Sequence, residues 1–219
     1  MNLSPLILSL KTTLVATFIT FFLGIYAARL VLTLPKKIRA ILDAIFTLPL
    51  VLPPTVLGFF LLIIFGRNSI IGQALLSIGI RIVFSWSATV IAAVIVSFPL
   101  MYRTTHAAFE QLDTSIIFAA RTLKMSEHKI FWKIMIPNTF SSIIAGTILS
   151  FTRALGEFGA TLMLAGNIPN KTQTISLAIY TAVSAGNMQL AFVWVMLIIS
   201  ISFITIMLIN FCNKLEVKK

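Results

Sequence analysis

The sequence RTTHAAFEQLDTSIIFAARTLKMSEHKIFWKIMIP, residues 103–137, is the one long hydrophilic stretch in an otherwise apolar chain. Within this hydrophilic segment, apolar residues recur at helical spacing, first from Phe109 to Leu123 and then from Ile130 to Ile134. The spacing predicts a pair of short amphipathic helices that lie on a membrane face. A plain loop would not need such a pattern, so we expect another protein to dock against the segment.

The composition of the chain is that of an integral membrane protein. Of its 219 residues 58% are hydrophobic and only 11% are charged, whereas a soluble domain carries roughly 25% charged residues. The length fits one domain over residues 1–219, embedded in the lipid bilayer. Although the net charge is +11, the basic residues form no patch or tail and no nucleic-acid motif is present, so we expect no nucleic-acid partner. Cys212 is the single cysteine, which excludes an intrachain disulfide.

The apolar runs predict an all-α fold with about five transmembrane helices, at residues 8–34, 44–65, 86–102, 140–164 and 190–211. Residues 70–80 are expected to form a short interfacial or re-entrant helix. Most of the 17 Lys and Arg residues fall on the same side of the membrane as the hydrophilic segment. The positive-inside rule then predicts an N-terminus outside, a C-terminus in the cytoplasm and a cytoplasmic hydrophilic segment.

Three prolines interrupt the second predicted span, in the sequence TLPLVLPPTVLG at residues 47–58. Each proline removes a helical hydrogen bond, and the adjacent pair Pro53 and Pro54 should break the helix at mid-membrane depth. The half-helix that begins at Pro54 and Thr55 would then point its positive dipole end toward the break. We expect Pro53, Pro54 and Thr55 to line a translocation path, although a simple packing kink is the alternative.

The fourth predicted span contains two charges, in the sequence RALGEFGAT at residues 153–161. Arg153 and Glu157 are four residues apart, so they would share one helix face and could pair. Charges within a span usually face the bundle interior or a polar cavity. The pair is therefore either a salt bridge that locks helices together or part of the translocation path or its outer gate.

No pattern in the chain predicts catalysis. The phosphate-binding motif G-x-x-x-x-G-K-[ST] is missing from the sequence, so we expect no ATP site of that kind in this chain. His106 and His128 are far apart and have no cysteine partners, so we expect no metal site. The protein is thus expected to be a non-enzyme without a bound cofactor.

The end of the hydrophilic segment resembles a known loop. Permease subunits of bacterial binding-protein-dependent ABC importers carry the pattern E-A-A-x3-G-x9-I-x-L-P, and FAARTLKMSEHKIFWKIMIP, residues 118–137, is similar to it. Four positions are identical and one is conservative: Ala119, Ala120, Ile134 and Pro137 match, and Ile136 stands for the leucine. The two departures are Phe118, in place of the glutamate, and Lys124, in place of the glycine.

Three further stretches resemble the molybdate/tungstate branch of these permeases, which is close to the sulfate permeases. They are LPLVLPPTVLGFFLL at residues 48–62, SFTRALGEFGATLMLAG at residues 150–166 and TQTISLAIYTAVSAG at residues 172–186. The resemblance covers nearly the whole chain and implies the type I ABC importer permease fold, in a multi-pass protein of the bacterial plasma (inner) membrane.

The resemblance also implies partners. We expect a homodimer of this chain, two cytoplasmic ATPase subunits that use ATP and Mg, and an extracytoplasmic oxyanion-binding protein. Residues 119–128 would carry the short helix that fits a cleft of the ATPase. The implied docking residues are Ala119, Ala120, Arg121, Leu123, Lys124, Met125, Ser126, Glu127 and His128. On the outer side, Arg67, Arg81 and Lys171 are either contacts for the binding protein or ordinary loop charges.

The expected function is therefore that of an ATP-driven importer permease for molybdate or tungstate. Sulfate or thiosulfate is the alternative substrate, since RALGE also occurs in the sulfate relatives. A stand-alone anion channel or secondary transporter is an alternative from a different class, and a membrane scaffold without conduction is another. Neither explains all of the features, because the former needs intramembrane coupling residues and the latter leaves the proline break without a role.

Overall fold

The computed structural model is helical throughout, with no strand among the residues that it describes, which are residues 2–216 with side chains described as far as Met207. This confirms the predicted all-α class. The helices are, in chain order, α1 (Ser4–Leu32), α2 (Lys36–Val51), α3 (Pro54–Phe65), α4 (Ile70–Ser77), α5 (Trp86–Glu110), α6 (Thr114–Thr122), α7 (Glu127–Ile130), a π-helical turn (Phe131–Met135), α8 (Ile136–Asn138), α9 (Phe140–Leu155), α10 (Gly159–Ala165), α11 (Ile175–Ser184) and α12 (Met188–Glu216).

Three of these helices are long and apolar enough to cross a membrane, namely α1, α5 and the Met188–Met207 part of α12. Two bent pairs bring the number to the predicted five if each pair is one span. The first pair is α2 and α3, which meet at an angle of 114°, and the second is Glu127–Asn138 and α9, which meet at 74°. The predicted short helix at residues 70–80 is confirmed as α4.

Two predicted spans are broken rather than continuous. Residues 44–65 do not form one helix, because Leu52 and Pro53 are extended and α3 departs at a steep angle from α2. The predicted span at residues 140–164 is likewise wrong as a single helix, since α9 ends at Leu155 and α10 begins at Gly159. Pro53 and Pro54 account for the break between α2 and α3. The break between α9 and α10 coincides with a side-chain cap on α10, which is described with the site.

The predicted apolar pattern from Phe109 to Leu123 belongs to two helices. α5 continues beyond its predicted end at residue 102 as far as Glu110, so Phe109 is buried in the bundle core. α6 begins only at Thr114, and Leu123, which was expected on the apolar face, is 77% exposed. The hydrophilic segment therefore starts as the end of a spanning helix.

Small and hydroxylated residues allow α1, α5 and α9 to pack closely at the centre of the bundle. Thr12 and Thr89 share a hydrogen bond of 3.0 Å between α1 and α5, and Thr20 and Ser97 share another of 3.3 Å. Ser150 of α9 donates to the Ser97 carbonyl at 3.3 Å. Side-chain hydroxyls that bond across helices and small residues that admit close approach are the usual means of association in lipid, where apolar burial gives little driving force.

The bundle has two distinct ends. At one end the starts of α1, α5 and α11 meet, where Trp86 donates to Thr12 at 3.0 Å and the Ile175 N–H donates to Ser9 at 2.8 Å. At the opposite end the close of α1 meets α7, where Arg29 donates to the Glu127 carbonyl at 3.1 Å. We call these the α11 end and the α7 end; that the α7 end faces the cytoplasm stays a prediction.

Candidate functional site

The hydrophilic segment folds as a helix pair whose turn is centred on Lys124. The Lys124 N–H donates to the Arg121 carbonyl at 2.9 Å, and the Met125 N–H donates to the Ala120 carbonyl at 3.1 Å. These two bonds form a Schellman motif, which closes the end of α6. Lys124 has a φ of 56°, in the left-handed region that favours glycine. Lysine therefore occupies the glycine position of the resembled loop, and the turn is still made.

Two polar caps and an ion pair fix the helices on either side of this turn. The Asp113 carboxylate accepts an N–H of the first turn of α6 at 2.8 Å, which holds the pKa of Asp113 below its ordinary value. Ser126 caps α7 in the same way. Arg121 Nε lies 2.7 Å from Glu127 Oε1 across the turn. Residues 119–128 thus form the end of α6, a turn and the start of α7, in keeping with the predicted pair of short helices.

Most of the predicted docking residues are open to an incoming partner. The exposed ones are Ala119, Arg121, Leu123, Lys124, Ser126, Glu127 and His128. Ala120, in contrast, is only 4% exposed, and Met125 is half-buried, so these two residues support the fold of the segment. Phe118, at the glutamate position, is exposed as well. The surface that the segment offers is therefore apolar at Phe118 and Leu123 and charged around them.

The helix pair is anchored in the core through Phe131. This side chain is fully buried, with its ring 6.0 Å from the Phe109 ring of α5. The Arg29 guanidinium of α1 lies 4.1 Å above the same ring and also bonds the carbonyl of Glu127. The anchor lies in a π-helical turn, a local widening that often occurs at functional sites. The helix pair is therefore in direct contact with both α1 and α5.

A polar network between α2 and α5, which the sequence analysis missed, lies beside this anchor. Arg39 pairs with Glu110 and lies 3.3 Å from the buried His106. One turn away, Asp43 pairs with Arg103 at 3.1 Å. The spacing carried a signal, because Arg39 and Asp43 are four residues apart on α2. The network ties α2, the first half of the broken α2–α3 pair, to α5, the helix whose Phe109 packs against the anchor.

The second break, between α9 and α10, is organised by Glu157. Only 3% of Glu157 is exposed. Its carboxylate accepts the Ala160 N–H at 2.7 Å. The other oxygen lies 3.1 Å from Arg153 Nη1, so the predicted pair is confirmed. Glu157 itself, however, follows the end of α9 and is not on a continuous helix face. It instead satisfies one N–H of the first turn of α10, that of Ala160, as a cap does.

The structure brings the two predicted path motifs together. Gly159 packs against the start of α3, where an added Cβ would lie 3.1 Å from both Pro54 Cβ and the Thr55 nitrogen. Gly58 packs against α10, where an added Cβ would lie 2.8 Å from Ala160 Cα. Because α3 and α10 approach so closely, Gly58 has no room for a Cβ, and a Cβ at Gly159 would require its neighbours to shift by a few tenths of an ångström. The two breaks therefore form one unit, which we call the helix-break site: Pro53, Pro54, Thr55, Arg153 and Glu157.

One side of the helix-break site is open and the other is closed. Pro53 and Thr55 are exposed, whereas Glu157 is buried and Arg153 is half-buried. Because Glu157 already occupies the start of α10, the free positive helix end at this site is that of α3. An exposed helix start in a broken span suits a polar path through the membrane. No group of His, Cys, Asp and Glu side chains that could hold a metal occurs in the part of the chain that the structure describes.

Comparison with known proteins places these features in context. Residues 20–211 match the family described as binding-protein-dependent transport system inner membrane component. The chain is 43% identical over 178 residues to the molybdenum transport system permease protein ModB of Escherichia coli K12, covering 81% of this chain and 78% of that protein. It is 44% identical over 208 residues to YvgM of Bacillus subtilis strain 168, which is named as a molybdenum transport system permease protein. That match covers 94% of this chain and 92% of YvgM.

A sulfate relative and a solved structure extend the comparison. The sulfate transport system permease protein CysT of Salmonella typhimurium is 36% identical over 174 residues, covering 78% of this chain and 63% of that protein. A chain of the MetNI methionine ABC transporter, solved in inward facing conformations, superposes with a TM-score of 0.75 over 94% of this chain and 91% of that chain. Since the identity to it is 17%, this likeness concerns the fold alone.

Proposed function

Because the chain belongs to the family of inner membrane components of binding-protein-dependent transport systems, we propose that it is the permease subunit of an ATP-driven importer of molybdate or tungstate. As a member of that family it is a multi-pass inner membrane protein. The proposal concerns its partner proteins, its substrate and the residues that couple ATP hydrolysis to transport. The observation that carries the assignment is the helix pair α6–α7, which presents Leu123 to the outside and is rooted in the core by Phe131.

The coupling follows from the route between the docking surface and the spans. Two ATPase subunits would seat on α6 and α7, and their closure on ATP and Mg would push the helix pair. The displacement reaches α1 through Arg29 and α5 through Phe131. From α5 it passes to α2 through the pairs of Arg39 with Glu110 and of Asp43 with Arg103. The permease chain performs no chemistry in this scheme and converts ATPase closure into a tilt of its helices.

The helix-break site would lie on the path that this tilt opens. A homodimer is supported by α2, on which no residue is buried within one copy. Its apolar residues Ile41, Ile45 and Leu48 are exposed, and a second copy could cover them. With two copies face to face, the exposed Pro53 and Thr55 of each would border the space between them. The start of α3 contributes a positive helix end to that space, which suits an oxyanion.

Molybdate or tungstate is supported as the substrate by the molybdenum permeases at 43% and 44% identity. Sulfate or thiosulfate is the second candidate, supported by the lower identity of 36% to the sulfate permease. Selection between the oxyanions would rest with an extracytoplasmic binding protein, because Glu157 neutralises Arg153 at the break and no dense cationic site remains there. The stand-alone transporter is disfavoured because Arg153 and Glu157 at the helix-break site neutralise each other and leave no free charge of that pair to couple transport.

The experiment that tests this function is the ATPase activity of the chain reconstituted with its ATPase subunit and binding protein. We expect molybdate and tungstate, delivered by the binding protein, to stimulate hydrolysis, and sulfate to have no effect. Stimulation by sulfate alone would replace the substrate and leave the mechanism intact. If the chain fails to recruit any ATPase subunit, the proposed function is wrong.

A further inference from the structure

A cavity of about 580 Å³ lies at the α11 end of the bundle, away from the helix-break site and from α6 and α7. Its walls come from the end of α3, from α4 and from the connection that leads into α5. The lining combines two arginines with apolar side chains, the main ones being Arg67, Arg81, Leu62, Phe65, Leu76 and Val83. A concave, largely apolar cavity of a few hundred Å³ with a small number of charged groups is the usual form of a small-molecule site.

Among the side chains that the structure describes, no carboxylate pairs with either of the two arginines of the cavity. Both are exposed, and neither takes part in an ion pair within the described part of the chain. The sequence explains why, since the chain has six acidic residues and none lies between Asp43 and Glu110. Five acidic residues belong to the α7 end or to the tail of α12, and the remaining one, Glu157, is bound by Arg153. The cavity thus offers uncompensated positive charge.

An exposed apolar strip leads from the cavity along the outside of the bundle. On α3, directly next to the lining residues Leu62 and Phe65, Ile63 and Ile64 are exposed, and the strip continues with Phe59 and Phe60. α4 adds Ile70, which is 89% exposed. Such side chains are stable in contact with lipid tails, whereas arginines at the end of a span reach toward lipid headgroups.

We propose that this cavity binds a phospholipid with a net negative headgroup. Its phosphate lies between Arg67 and Arg81, and its acyl chains run along the exposed strip of α3. Guanidinium groups form charge-assisted hydrogen bonds with phosphate oxygens, and a headgroup without its own cation leaves that attraction undiminished. The lipid would brace α4 against α3, next to the broken span.

The shape of the site favours a lipid over a protein partner. A binding protein that docks and leaves in every transport cycle would meet a polar, rather flat surface, since transient interfaces are no more apolar than ordinary protein surface. The arginines here stand at the rim of an apolar cavity that continues into the membrane-facing strip. An acyl chain fills such a cavity, and a folded acidic surface does not.

The test is a lipid-retention measurement on the purified protein. The wild-type chain in detergent is titrated with phosphatidylglycerol or phosphatidylcholine, and bound lipid is counted by native mass spectrometry. The variant Arg67→Gln with Arg81→Gln removes both charges. Lys171→Gln is the matched control, because Lys171 is an exposed cation at the same end that does not line the cavity. Glycerol 3-phosphate is added as a competitor, and thermal unfolding verifies that each variant is folded.

We expect the wild type and Lys171→Gln to retain phosphatidylglycerol in preference to phosphatidylcholine, and the double variant to lose that preference. Glycerol 3-phosphate should fail to displace the lipid, since it lacks the acyl chains. Equal retention of the two lipids by the wild type would overturn the proposal. An unchanged lipid preference in the double variant would also overturn it. If the double variant with unchanged lipid preference bound the binding protein less tightly, the two arginines would be contacts for that protein instead. Displacement by glycerol 3-phosphate would point to a free phosphate site instead.

Discussion

Removing the charge of Glu157 should destabilise the protein in a way that depends on Arg153. The Glu157→Gln change keeps an oxygen that can accept the Ala160 N–H but loses the charge that faces Arg153 at 3.1 Å. A hydrogen bond to a charged group contributes roughly 1.5–3 kcal/mol. Because the Arg153 side chain is 31% exposed, water recovers part of that loss, and we expect a decrease of about 1–2 kcal/mol in the free energy of unfolding.

Glu157→Ala should cost more than Glu157→Gln. It removes the cap as well, which contributes about 1 kcal/mol, and it leaves Arg153 next to a buried void. Breaking a buried ion pair by deleting one partner costs about 3–5 kcal/mol. The half-exposed arginine places the expected total at the lower end of that range, about 3 kcal/mol.

The assay is equilibrium unfolding in mixed detergent and SDS micelles, followed by tryptophan fluorescence, to which the buried Trp194 contributes together with Trp86 and Trp132. A double-mutant cycle with Arg153→Met and Glu157→Gln isolates the pair. We expect a coupling free energy of about 1–2 kcal/mol, within the range for residues in contact. A coupling below about 0.5 kcal/mol, or equal losses for the Gln and Ala variants, would refute the reading of Glu157 as both cap and partner. Substrate preference should be unchanged in Glu157→Gln.

Three further predictions concern the helix pair α6–α7. Leu123→Asp places a charge on an apolar residue that is 77% exposed, and it should abolish recruitment of the ATPase subunit without loss of folding. The control Ile116→Asp makes the same kind of change outside the predicted docking set and should leave recruitment intact. Recruitment is measured by pull-down with the ATPase subunit, and equal loss in both variants would show that Leu123 is not the specific contact. Lys124→Gly relieves the left-handed φ of 56° and should stabilise the turn by up to about 1 kcal/mol, seen as greater hydrogen-exchange protection of the Met125 amide; lower protection would contradict the strain argument. The hydrogen bond from the Ser115 N–H holds the pKa of Asp113 below its ordinary value, so the cap is present at neutral pH and is lost as the pH falls through the lowered pKa; protection of the first amides of α6, followed from neutral pH into acid, should drop at the acid end. Asp113→Asn caps without titrating, and an identical acid drop in that variant would show that Asp113 is not responsible.

The sequence was sufficient for the features that depend on local chemistry. The apolar runs predicted the helical membrane class, because each run is long enough to cross lipid. The adjacent prolines at positions 53 and 54 predicted the break before α3, since neither proline can donate a hydrogen bond to the preceding turn. The turn at Lys124 was less certain from the sequence, and it forms because Arg121 and Ala120 accept the two closing hydrogen bonds.

The sequence did not predict the features that depend on contacts between residues far apart in the chain. α5 extends to Glu110, whose side chain pairs with Arg39, a residue 71 positions earlier in the chain. The break after Leu155 depends on a buried carboxylate that turns back onto the Ala160 N–H, and helical periodicity does not foresee this. Likewise, the approach of Gly159 to Thr55 joins two motifs that the sequence keeps a hundred residues apart. The predicted roles of the helix-break and docking residues in transport remain predictions.

The most direct test of the account is uptake of labelled molybdate into proteoliposomes. The liposomes contain this chain, its ATPase subunit with internal ATP and Mg, and external binding protein. The account predicts uptake that requires all three proteins and ATP, that Leu123→Asp abolishes and that Ile116→Asp preserves. Uptake by this chain alone, without ATP, would contradict the claim that it is the passive, coupled membrane subunit of an importer.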